Sequence, residues 1–216
     1  MTHTMTIIDQ IVLGATGLVA LYLIVRLIQD SRRAGNPIHN YFYIASMAVI
    51  LVSGLLLIIN GYDILPNAEV IVVTTLIPIG ISTGLVYEFH SKYAKGYLIF
   101  AIVGLIAITL TRYIGADNAS YKTLRIITLA TFHGVFGLTI FFIPIFLVKA
   151  KKAVTGFIGV TIGGALIGIG GLSLAFLKLD NAILDENVIL TILAPLLLLM
   201  ALGYTWGFIK KIKAVE

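Results

Sequence analysis

The chain has no cysteine among its 216 residues, which excludes disulfides, thiolate metal sites and cysteine-based redox chemistry together. Charge is nearly as scarce: 12% of the residues are Asp, Glu, Lys or Arg, against roughly a quarter in soluble domains. Catalytic signatures are missing too. There is no HExxH, no GxSxG, no intramembrane pair of carboxylates and no Ser-His-Asp set at one depth, so nothing marks an enzyme. The glycines carry no following Lys-Ser/Thr, which removes a phosphate-cradling loop.

What remains is hydrophobicity. Apolar residues make up 59% of the chain and the mean hydropathy is +1.05, so lipid is the expected solvent. Apolar stretches of roughly 20 residues, the length that spans a hydrocarbon core, recur along almost the whole chain. They show no alternation with polar residues, which argues against a transmembrane β-barrel. Met1 to Gln10 carries no basic region, and further spans follow the first apolar run, so that run is expected to be a mature helix and not a signal peptide. The net charge of +5 comes from positives at helix ends. They read as topology signals and headgroup contacts, with no nucleic-acid partner.

The expected fold is all-α: a polytopic transmembrane bundle of about seven helices near 6–28, 42–61, 69–90, 96–113, 123–148, 154–177 and 187–209. Arg26, Arg32 and Arg33 follow helix 1, Lys92 and Lys95 helix 3, Lys149, Lys151 and Lys152 helix 5, and Lys210, Lys211 and Lys213 helix 7. All these ends share one side. The other side has Asp63, Glu69, Asp180, Asp185 and Glu186, with a mixed segment from Arg112 to Arg125. The positive-inside bias then predicts a cytoplasmic C-terminus, an external N-terminus and a multi-pass protein of the cell membrane.

At an offset of 117, Gly54 to Tyr87 matches Gly171 to Tyr204 without a gap. Gly54/Gly171, Asp63/Asp180, Glu69/Glu186, Thr74/Thr191, Pro78/Pro195 and Tyr87/Tyr204 pair as identities, and these residue types are scarce here. At an offset of 120, Gly14, Gly17 and Leu18 fall on Gly134, Gly137 and Leu138. The expectation is one transmembrane domain, 1–216, with repeat 1 over about 6–90, a linker helix over about 96–113 and repeat 2 over about 123–209. Because an odd helix separates them, the copies would be parallel, related by a pseudo-two-fold axis along the membrane normal. This 3+1+3 plan resembles that of the small sugar transporters, the nicotinamide riboside transporters and the opsins. The resemblance covers the whole chain but is carried by architecture alone. Val188 to Ile209 has no Schiff-base lysine, and Trp206 is the single tryptophan, so retinal binding and the Trp-rich site of the riboside carriers are not expected.

Counting from Glu69 and Glu186, Pro78 and Pro195 lie nine residues in, about 13 Å deep and near the midplane. His133 falls at a similar depth, whereas Arg26, Glu88 and Arg112 come within reach of an interface. Paired prolines free backbone carbonyls and suit a midplane site or hinge, or they only shape packing. His133 serves as substrate contact, proton relay or haem ligand, or else as packing glue. Its repeat equivalent is the apolar Leu13. A second haem ligand at the same depth is missing, because His39 and His90 belong to the cytoplasmic side and His3 to the outer end. No cofactor and no metal are therefore expected. Gly159/Gly163 and Gly164/Gly168 have the small-xxx-small spacing that brings helix backbones together, within the monomer or at a dimer seam.

These readings converge on a small-molecule or ion transporter or channel. Its path would run between the repeats near His133, Pro78 and Pro195, with Thr74, Thr191, Tyr87 and Tyr204 as polar lining. The alternative is an accessory or electron-transfer subunit of a larger membrane complex. The expected partners are the lipid bilayer and, left open, further copies of the chain or other membrane subunits.

Overall fold

A computed structural model describes residues 4–114, 121–176 and 185–214. Asp180 of the repeat alignment and His3 lie outside the described residues, as do the side chains of Glu186 and of residues 172–176. The described residues form seven α-helices and no strand: α1 Ile7–Arg33, α2 Ile38–Asn60, α3 Ala68–Phe89, α4 Ser91–Tyr113, α5 Lys122–Lys149, α6 Ile158–Phe176 and α7 Glu186–Lys213. Six are long and apolar enough to cross a membrane, while α6 is shorter. Large apolar side chains point outward all around the bundle, among them Ile7, Ile11, Leu18, Ile59, Ile99, Leu138 and Phe146. A surface of that kind is stable in lipid and not in water.

Local chemistry sets the helix ends. Thr6 caps α1 in a reciprocal box with Asp9, the Thr6 hydroxyl accepting from the Asp9 amide while Asp9 accepts from the Thr6 amide. The turn to α2 needs two left-handed residues, Gly35 at φ 78° and Asn36 at φ 59°, residue types that tolerate that region. Several helices outrun the hydrophobic stretches that announce them. α1 continues to Arg33 and α7 to Lys213, and α4 begins at Ser91. Backbone hydrogen bonding continues through the interfacial turns, where apolar composition has already ended.

Six helices close a ring in the order α1, α2, α3, α5, α6, α7 and back to α1, and α4 packs outside it against α3 and α5. Tyr97 of α4 donates to the Thr139 hydroxyl of α5 at 3.0 Å, and Tyr113 donates to Glu69 of α3 at 3.2 Å. Phe100, Phe132 and Phe136 fill the angle between α4 and α5. The main core lies toward the basic end of the ring and includes Leu23, Tyr43, Met47, Ile81, Leu85, Phe157, Met200, Tyr204 and Phe208.

Candidate functional site

Toward the other end the ring does not fill. A cavity of about 590 Å³ opens there, within the range of small-molecule sites. Its mouth is bordered by Tyr62, Asp63, Leu65 and Pro66 of the α2–α3 connection and by Arg112 at the end of α4. Its walls come from α1 (Leu13, Thr16), α2 (Ile50, Ser53, Gly54), α3 (Thr74, Thr75, Ile77), α5 (Ile126, Leu129, His133), α6 (Ile167, Gly170, Gly171) and α7 (Leu190, Leu193). Its floor is the main core.

His133 is held in this wall by two features of α6. Its ring lies beside the backbone of Ile167. Nε2 is buried with no hydrogen-bond partner. The Nε2 edge of the ring faces Gly171, where a methyl group would sit 2.6 Å from Nε2. Only glycine leaves it that room. Thr16, Thr74 and Thr75 each donate their hydroxyl to a carbonyl one turn back, Val12, Val70 and Ile71, at 2.9, 2.7 and 2.7 Å. Tyr62 is outside the spans; burial, and then the neighbouring Asp9 carboxylate, push its phenol well above the ordinary value, so it stays neutral.

Among the site residues expected from sequence, the cavity brings together His133 and Thr74. Pro78 is buried in α3, beside the contact of Ile79 with Ala101 and Phe136, and Ser46 of α2 donates to the preceding carbonyl, Ile77, at 3.0 Å. Pro195 and Thr191 lie on the outer surface of α7, and the Thr191 hydroxyl donates to Asn187 at 2.7 Å. Tyr87 stacks at an angle on Phe42, and Tyr204 is fully buried against Gly163. Gly159 and Gly163 meet the backbone of α7 at Gly203, Gly207 and Met200, Gly164 meets Ile140 of α5, and Gly168 faces open space. His39 and His90 begin α2 and end α3 at the basic end, opposite the cavity. No cluster of three metal-ligating side chains occurs among the described residues.

Comparison with known proteins adds no relative. No family model matches the chain, and neither do curated proteins or solved structures.

Sequence reasoning missed two features. One is Arg112, which reads as an interfacial residue but lines the cavity, with a buried Nε that has no partner. The other is the closed end. Glu88 has the look of ordinary interface polarity, yet Lys211 of α7 donates to both its oxygens at 2.7 and 2.8 Å, and Tyr43 of α2 donates to it at 2.8 Å. His39 stands 3.7 Å from the same carboxylate. The Lys211 ammonium also lies over the rings of Tyr43, Phe157 and Phe208, 5.2–6.0 Å from their centroids. The pair is mostly buried and ties α2, α3 and α7 together below the cavity floor.

Proposed function

We propose that the protein is a small-molecule transporter of the cell membrane, built from two parallel three-helix halves, with its N-terminus outside and the cavity as an outward-facing substrate site. One observation carries the reading: on α1 and α2 against α5 and α6 the cavity wall uses equivalent positions of the two halves, although Thr74 of α3 faces it and Thr191 of α7 does not. Leu13 and His133, Ile50 and Ile167, Ser53 and Gly170, and Gly54 and Gly171 are four such pairs, and all eight residues line it. The helix ring supports the same symmetry. Exchange of α1–α3 with α5–α7 turns the α1–α7 contact into the α5–α3 contact, and both are made. Pro78 is covered and Pro195 bare because α4 packs on α3 and has no counterpart on α7.

Among the described residues the cavity is open on one side and sealed on the other by the core and the Glu88–Lys211 pair, as one state of an alternating-access cycle requires. Positive-inside charge assigns the sealed side to the cytoplasm. Uptake into proteoliposomes tests the reading, with Ser53→Trp as the cavity-filling variant. Uptake that Ser53→Trp abolishes in a folded protein supports it. A haem absorption band or stoichiometric companion subunits in the purified protein, without uptake, would replace it by the accessory-subunit alternative.

A further inference from the structure

The charged groups of the cavity, Arg112 and Asp63, stand at its mouth, and its deeper polar groups are uncharged hydroxyls and His133. At the mouth the Arg112 side chain borders the space, and no carboxylate lies within ion-pairing distance of it among the described residues. The charge that acts on it is a second cation, Arg125. Asp63 at the mouth is exposed to water, and Asp9, beside Tyr62, is taken up by the Thr6 cap. Deeper in, three of the hydroxyls act only as acceptors, with Ser53 beside them. Thr16, Thr74 and Thr75 have given their protons to the backbone, so their hydroxyls offer lone pairs only. His133 lies at this depth too, its Nε2 left without a partner beside Gly171, which also lines the cavity, and such a nitrogen accepts when it carries no proton.

We infer that the cavity binds a small organic anion, with its acid group at Arg112, an apolar body along Leu13, Ile50, Leu57 and Leu193, and a hydroxyl or N–H donor at His133. The inference rests on the reading of the cavity as a substrate site and names the substrate class. A cation beside a low-dielectric cavity attracts an anion far more strongly than it would in water. An arginine that merely snorkels turns its head to water or headgroups, whereas this one borders the cavity. The length follows from α5. Ile126, Leu129 and His133 share its cavity face, and Arg125, the cation that acts on Arg112, adjoins Ile126. From Ile126 to His133 the cavity face of α5 runs seven residues, roughly 10 Å of helix rise. That separation suits a chain of about eight carbons.

The test is binding to the full chain in non-ionic detergent of 8-hydroxyoctanoate, octanoate, 1,8-octanediol and octylamine, read by thermal stabilisation and calorimetry. The expected order is hydroxy acid, then plain acid, then diol, with no response to the amine. Arg112→Gln should remove the preference for acids over the diol, about tenfold in Kd, and Arg112→Lys should retain part of it. His133→Leu should erase the advantage of the hydroxyl while leaving the acid preference. Equal binding of diol and acid, or an acid preference that survives Arg112→Gln, overturns the assignment. Nanodiscs separate the two sources of an acid group: hydroxyoctanoate binding that persists in phosphatidylglycerol supports a free acid, and loss there but not in phosphatidylcholine overturns it in favour of a lipid headgroup. Uptake is measured on the same panel. Acid-selective binding without uptake leaves this site standing and sinks the transport reading; uptake with no acid preference does the reverse.

Discussion

His133 and Gly171 form one unit, an imidazole and the gap that admits it. His133→Ala should erase the advantage of the hydroxy acid over octanoate while lowering stability by only about 1 kcal/mol, because the Ile167 carbonyl belongs to a helix and keeps its backbone environment. Binding and melting temperature measured on one sample decide this; a fully active but less stable variant would make the histidine a packing residue. Gly171→Ala leaves every polar group in place but puts a methyl group against Nε2. It should therefore weaken binding nearly as much as removal of the ring, and by displacement alone. The candidate site was only partly legible at this scale. His133 stood out because a histidine in the middle of an apolar run is conspicuous, and Thr74 because its match in the second half drew attention to it. Arg112 did not, since a linear reading sees a charge one residue from a helix end and cannot see that the end leans over a cavity.

The seal at the basic end belongs to the scale of elements, because Glu88, Tyr43 and Lys211 come from three helices. Glu88→Gln leaves the Lys211 ammonium mostly buried beside three aromatic rings and without its counter-charge. The expected cost is about 3 kcal/mol, and the loss should favour whichever arrangement lets water reach the lysine. Cysteine labelling reads this without background, because the chain has none of its own. Ser53→Cys, in the cavity wall, should react in both backgrounds. Met47→Cys, fully buried below it, should react only when combined with Glu88→Gln. Unchanged protection of Met47→Cys would show that the pair is not what holds this end closed. Sequence alone could not join these residues: Glu88 and Lys211 are 123 positions apart, and each looks like a charge in its proper place at the end of a span.

For the molecule as a whole, the helices were legible because lipid imposes a simple rule of length and composition, and each expected span has its helix within a few residues except where interfacial turns extend it. The ring, the off-ring position of α4 and the asymmetric covering of Pro78 and Pro195 were not, since helix packing in lipid depends on shape and not on hydrophobic burial. Reporter fusions after Arg33, Lys95, Lys152 and Lys213 should all report cytoplasm, and tags near Asn67 and Asp185 should be accessible from outside. A uniformly reversed pattern would overturn the orientation. An experimental structure should superpose α1–α3 on α5–α7 by a rotation of roughly 180° about the membrane normal. Between α6 and α7, Gly159 and Gly163 lie so close to Gly203 and Gly207 that a methyl group at Gly159 would sit 2.7 Å from the carbonyl oxygen of Gly203. A seam made of main chain has no rotamers to exchange and so no second way to fit. These two helices must travel as one piece, which leaves the α1–α7 and α3–α5 boundaries, where side chains meet, as the places for the molecule to bend.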